Sequence, residues 1–195
     1  QTACGAFRAL DLRAGDVIVI SAAAGGVGSL ATQLAVHRGA TVIGIASDAN
    51  ADYVRSLGAI PVAYGEGLVD RVRAAAPTPV TKLLDCYGSE YITLGFSLGL
   101  SRKAIGTLVP GPKAAFRGVH ITGMRHAHPA SDLAEIASLV ADGTITIDIA
   151  HEYPFDIDSV RAAYTQLMGG HVRGKLVVKL QSVSYTHLRA HETEA

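Results

Sequence analysis

Residues 22–28, AAAGGVG, place seven consecutive residues no larger than valine one position after the apolar run Val17–Ile20, with Ser21 between. A turn this poor in side chains brings backbone amides close to whatever lies outside the strand, because each missing Cβ removes an outer layer of the chain. The chemistry it can serve is anion binding. Unpaired N–H groups at a helix start point outward and the helix dipole adds partial positive charge, so a phosphate can be held there without a basic side chain. A tight strand-to-helix turn packed only against its own sheet would use the same residues, and the glycines alone do not separate the two readings.

The elements around the turn do. Val17–Ile20 is a continuous apolar strand of the kind buried on both faces. Val27, Leu30, Ala31, Leu34 and Ala35 recur at one-face helical spacing, Gly39 ends that helix, and Thr41–Ala46 is a second apolar strand. Strand, glycine turn, helix and strand in about thirty residues make one βαβ unit, and that frame predicts that the turn holds the phosphates of a dinucleotide.

The alternation continues. A short helix at 50–57 stops at Gly58, a strand follows at Ile60–Ala63, and a helix at 69–75 closes on Pro-Thr-Pro at 77–79. A strand at 80–86, a helix at 91–98 and a strand at 103–109 precede the breaker Pro110-Gly111-Pro112. A sixth strand is expected at 119–124, then a helix marked by Leu133, Ile136, Ala137 and Val140. This pattern predicts an α/β fold with a parallel, doubly wound Rossmann sheet. From Thr144 the character changes to ITIDIAHEYPF, a helix with Val160, Ala163, Tyr164, Leu167 and Met168 on one face, a glycine-rich link and a closing strand at 175–180. That is the signature of a return to another structural unit.

With 195 residues, zero formal net charge and 49% hydrophobic residues, the chain can bury one sizeable core, and nothing in its charge favours nucleic acid. Cys4 and Cys86 lie far apart, against a disulfide framework or zinc knuckle, so a reducing cytoplasm is the expected compartment. No apolar run reaches the ~18 residues of a membrane span. His126-Ala127-His128 has ligand types without a third partner at usable spacing and reads as a polar loop, so no metal site is expected. Gln1 opens the sequence without a start methionine, and a preceding segment is expected. Residues 182–195, SVSYTHLRAHETEA, turn abruptly polar and resemble translated adapter sequence; with His187 and His191 they are expected to be a non-native or disordered tail.

The succession TACGAFRALDLRAGD, VIVISAAAGGVG, TVIGIAS, SLGA, LLDCYG and RGKLVV resembles the medium-chain dehydrogenase/reductase superfamily, specifically its zinc-independent, quinone-oxidoreductase-like branch, from Gln1 to about Leu180. The resemblance implies a Rossmann cofactor domain at 15–143, entered through a connecting helix at 1–14. A return segment at 144–181 would then belong to a GroES-like catalytic domain whose first part lies upstream. Position by position it implies that Ala23, Gly25 and Gly28 are the three turn positions, with Gly26 and Val27 over the pyrophosphate. Asp85-Cys86-Tyr87-Gly88 matches a DxxG near the nicotinamide ribose, and Thr107, Leu108 and Val109 match backbone against the nicotinamide amide, although core packing explains that apolar run equally well. Arg173, Gly174 and Lys175 match a closing RGK at the cleft edge.

The cofactor follows from the end of the second strand, where a carboxylate would chelate the adenosine ribose and repel a 2′-phosphate. Here the strand ends Ile45-Ala46-Ser47, so Ala46 leaves room for that phosphate and Ser47 can donate to it; NADP(H) is the expected cofactor. Asp48 lies two residues on, 47–50 contains no cation, and Arg55, the nearest, reads as a solvated helix face. Tyr64 follows the third strand where the branch often sets a tyrosine against the adenosine phosphate. The implied reaction is hydride transfer to a quinone, enone or related carbonyl, with a homodimer as the assembly the family allows. No catalytic residue is named, because the groups that polarise the substrate are expected upstream. No Tyr-x-x-x-Lys pair supports a short-chain dehydrogenase mechanism. A non-catalytic NADPH sensor and a zinc alcohol dehydrogenase with upstream ligands are the alternatives.

Overall fold

The computed structural model describes residues 1–170 and 172–180; the expected tail at 182–195 lies outside them. In chain order the elements are α1 (Thr2–Leu10), β1 (Val17–Ile20), α2 (Gly28–His37), β2 (Thr41–Ala46), α3 (Ala51–Ser56), β3 (Ile60–Ala63) and α4 (Leu68–Ala75). They continue with β4 (Lys82–Asp85), α5 (Glu90–Ser97), β5 (Ile105–Thr107), α6 (Pro112–Arg117), β6 (His120–Ile121) and α7 (Pro129–Ala141). The first six strands form one sheet in the order β3-β2-β1-β4-β5-β6, and every pair is parallel.

β1 is central because all four of its residues are apolar, and strand geometry sends them alternately to opposite faces. Ile18 and Ile20 join Phe7, Leu10, Leu34 and Leu84 in the core under α1 and α2. Val17 and Val19 join Ile43, Leu83, Ile92 and Ile105 in the core on the other face. Each such fully buried side chain stabilises the fold by about 1.5–3 kcal/mol relative to its exposed state.

Three strands are shorter than their apolar runs suggested. The run at 80–86 pairs only over Lys82–Asp85, because Thr81 turns its hydroxyl to Asp16 and Asp85 turns its carboxylate into the fold. The run at 103–109 pairs only over Ile105–Thr107: a 3₁₀ turn occupies Arg102–Ala104, and the Thr107 hydroxyl captures the amide of Val109. The run at 119–124 yields the two-residue β6, because Gly123 turns out of the sheet at φ 98° into a 3₁₀ turn at Met124–His126. Apolar runs report burial, and burial extends past the ladder.

The remainder is a second, smaller unit: β7 (Ile149–Pro154) and β8 (Lys175–Lys179) pair in parallel, joined through α8 (Ile157–Met168). Asp156 caps α8 by accepting from the amides of Asp158 and Ser159. Ile145 still packs in the first core, and Gln33 Oε1 accepts from the Thr146 amide at 2.8 Å, so the chain leaves the first unit just after Thr146.

Candidate functional site

β1 sits where the strand order reverses, between β2 and β4, and a crevice forms beyond the carboxyl ends of strands at such a point. The glycine turn follows β1 at that point. Ala22 takes a left-handed conformation at φ 49°, Ala23 donates its amide to Ile45 O at 2.9 Å, and Gly25 donates back to Ala22 O at 2.9 Å. The Ser29 amide then reaches Gly25 O and the helix begins. Among the described residues the amides of Gly26, Val27 and Gly28 meet no acceptor, and no side chain caps α2. These are the free donors that a phosphate needs.

The glycines have different reasons. A Cβ at Gly28 would stand 2.1 Å from Ala22 O, so this glycine is demanded by the turn's own packing. A Cβ at Gly26 would face another segment, 3.0 Å from Gly174 O and 3.4 Å from Lys175 Nζ. That neighbour is the start of β8. Gly174 donates its amide to Ala24 O at 2.9 Å, Gly174 and Gly25 form an isolated parallel bridge, and the Lys175 amide bonds Asp148 O at 2.8 Å. The closing segment therefore lies across the turn and sets the Lys175 ammonium beside the free amides, a cation that sequence reasoning placed only at the cleft edge.

Arg173 is occupied elsewhere. Its Nε lies 2.7 Å from Asp148 Oδ2, an ion pair whose N–H is not aligned as a hydrogen bond, and its guanidinium stacks 4.9 Å from the Tyr53 ring centre. Burial pushes the Tyr53 phenol above its ordinary pKa. Tyr53 and Asp148 escaped the sequence reading, since nothing local ties either one to residue 173.

At the carboxyl end of β2, Ala46 is buried and carries no charge, and Ser47 Oγ accepts from Asn50 Nδ2 at 3.0 Å. Arg55 pairs with Asp52, as a solvated helix face would. Tyr64 is exposed, and its amide bonds Ala46 O at 3.3 Å. Its loop is pinned by Arg71, whose guanidinium donates to the carbonyls of Ala63, Gly65 and Glu66, a brace the sequence did not show.

At the carboxyl ends of β4 and β5, the Thr107 hydroxyl turns inward, while Leu108 donates its amide to Asp85 O at 2.8 Å and Val109 stays 39% exposed. Tyr87 is 65% exposed and meets Tyr91 edge to face at 6.0 Å; burial pushes the Tyr91 phenol up to about 12. Burial raises the Cys86 thiol above the usual thiol range. An open hollow of about 500 Å³ adjoins these ends, lined by Leu108, Pro110, Ile121, Thr122 and Met124 among others.

Among the described residues, one group brings three potential metal donors together: Cys4, Asp132 and Glu135, with ligand atoms within 4.8 Å of one another. Both carboxylates are engaged. Asp132 Oδ1 lies 2.7 Å from Arg8 Nη2 and its Oδ2 accepts from the His128 amide, while Glu135 Oε1 takes Arg38 Nη2 at 2.8 Å. The hydrogen bond from Arg8 holds Asp132 below the usual carboxylate range, and burial raises the Cys4 thiol. The cluster ties α1 to α7 and α2 to α7. Neither His126 nor His128 belongs to it.

Residues 57–178, more than half of the chain, match the family described as zinc-binding dehydrogenase. The chain belongs to the medium-chain dehydrogenase/reductase superfamily. It is 31% identical to the mitochondrial NAD(P)H oxidoreductase RTN4IP1 of Mus musculus, over 85% of this chain and 48% of that protein. Superposition on the quinone oxidoreductase of Coxiella burnetii gives a TM-score of 0.75 at 31% identity, covering 91% of this chain and 57% of the other. The fold also matches CurA from Vibrio vulnificus in complex with NADPH, with a TM-score of 0.72 at 20% identity, over 93% of this chain and 62% of that one. Superfamily membership explains the strand order and the glycine turn together: the chain carries the NAD(P)-binding part of this superfamily. It spans about half the length of the curated relatives it matches.

Proposed function

We propose that this chain is the cofactor-binding part of an NADPH-dependent reductase of quinones, enones or related carbonyls that works without zinc. The observation that carries the reading is the cradle at the start of α2: three unpaired amides with the Lys175 ammonium beside them, at the reversal point of a parallel sheet. These groups fit a pyrophosphate, and the dipole of α2 adds to the attraction. When bound, NADPH supplies the hydride from its nicotinamide.

The chain's own residues hold and orient. Ala46 presents no charge against a 2′-phosphate, the Ser47 hydroxyl and Tyr64 line the adenosine end, and Tyr87, Leu108 and Val109 flank the nicotinamide end. The reading without zinc draws on the donor set: both carboxylates near Cys4 already serve arginines. The groups that polarise the substrate are assigned to the part of the relatives' length that this chain does not span.

Titration with NADPH and NADH, followed by nicotinamide fluorescence, tests the reading. Saturable binding of NADPH, tighter than that of NADH, is expected. Tighter NADH binding would move the ribose contact to Asp48 and overturn the choice of cofactor; no binding of either would overturn the reading itself.

A further inference from the structure

The ends of β1, β4 and β5 converge on one carboxylate. Asp85 is fully buried; its Oδ1 accepts from Ser21 Oγ at 2.9 Å and from the amides of Tyr87 at 3.0 Å and Gly88 at 2.9 Å. Its Oδ2 accepts from Thr107 Oγ1 at 2.7 Å. The two hydroxyls extend the network: Ser21 Oγ accepts from the Cys86 amide at 2.8 Å, and Thr107 Oγ1 from the Val109 amide at 3.0 Å. Among the described residues no cation pairs with Asp85.

Burying a carboxylate is expensive, and apolar residues of similar volume would join three strand ends at no such cost. What apolar packing would not do is fix the direction of individual backbone amides. Each arm of the network ends on a different loop. Ser21 immediately precedes the left-handed Ala22 that opens the glycine turn, Tyr87 and Gly88 form the turn after β4, and Thr107 holds the Val109 amide after β5.

We propose that Asp85 is a positioning residue that locks the loops carrying Tyr87 and Val109 in register with the phosphate-binding turn. A dinucleotide anchored by its phosphates then presents its nicotinamide half in one place. The inference rests on the cofactor reading above and assigns the residues that set where the reactive ring lies. Thr107 and Ser21 act through Asp85, and none of the three needs to touch the cofactor.

The test compares two ligands that share every atom up to the nicotinamide: NADPH and 2′-phosphoadenosine 5′-diphosphoribose. In Asp85→Asn the amide keeps one accepting oxygen and loses the accepting partner of Thr107; in Thr107→Val the shape stays and the hydroxyl goes. Both variants are expected to weaken NADPH about tenfold, the effect of one lost charge-assisted hydrogen bond, and to leave the nicotinamide-free ligand within about twofold. Thr107→Ser restores the hydroxyl and should restore NADPH binding. If Asp85→Asn does not fold, the Thr107 pair carries the comparison alone. Parallel weakening of both ligands, unchanged NADPH binding, or a serine variant that behaves like valine would overturn the positioning role. Wild-type protein that binds neither ligand would overturn the cofactor reading first.

Discussion

The two ends of the site are built from different material. At the turn after β1 it is backbone: small residues expose the amides of Gly26, Val27 and Gly28, and one lysine stands beside them. At the ends of β4 and β5 it is a side-chain network, with four donors on the single buried carboxylate of Asp85. A backbone cradle tolerates little added volume, because a Cβ meets other backbone. A side-chain network tolerates isosteric change but reports every lost donor. The difference predicts where substitutions act on folding and where they act on binding alone.

Gly28→Ala should have the largest effect. Its Cβ falls 2.1 Å from Ala22 O, backbone that cannot move without the strand behind it. The expected cost is about 3 kcal/mol of stability, at the upper end for overpacking, read as a lower midpoint in urea together with loss of NADPH binding. Full stability in this variant would mean that the turn relaxes and that the two ends are not so different.

Lys175→Ala comes next and should spare the fold. One charge-assisted contact to phosphate is worth about 1.5–3 kcal/mol, so NADPH and NADH should weaken together by at least about tenfold, with a shallower salt dependence than wild type. Loss confined to NADPH would place the lysine against the 2′-phosphate and remove it from the pyrophosphate.

The smallest change is expected from Ala46→Asp, which alters preference more than affinity. A carboxylate at the end of β2 repels a 2′-phosphate and can accept from the ribose hydroxyls, so the ratio of NADPH to NADH affinity should fall. An unchanged ratio would show that the adenosine does not pass residue 46.

The same contrast governs what was legible in the sequence. Periodicity exposed the sheet, the helices and the glycine turn because each is local: the alternation of Val17, Ile18, Val19 and Ile20 between two cores follows from strand geometry alone. Strand ends were overextended wherever an apolar run continued past its ladder, as at 103–109. That the turn at 22–28 is small and backbone-rich is legible in the sequence, but the reason for Gly26 is not, since its neighbours Gly174 and Lys175 are nearly 150 residues away in the chain. Asp85 was singled out by its DxxG pattern, yet its partners Ser21 and Thr107 lie 64 and 22 residues away, and no spacing rule links two hydroxyls to a carboxylate across three strands. Arg173 is expected at the cleft edge, and its contacts there are not legible in the sequence: its guanidinium pairs with Asp148, 25 residues earlier, and stacks on Tyr53 of the first unit.

The central claim is that the turn after β1 holds a phosphate and is not merely well packed. Gly26→Ala and Gly26→Asp test it side by side, because both place a Cβ against Gly174 O and only the second adds negative charge next to Lys175 and the free amides. NADPH affinity, measured by calorimetry with the melting temperature of each variant, should fall at least about tenfold further for aspartate than for alanine, with the two melting temperatures close together. Equal affinities in the two variants would contradict the claim and leave the glycines a purely structural role.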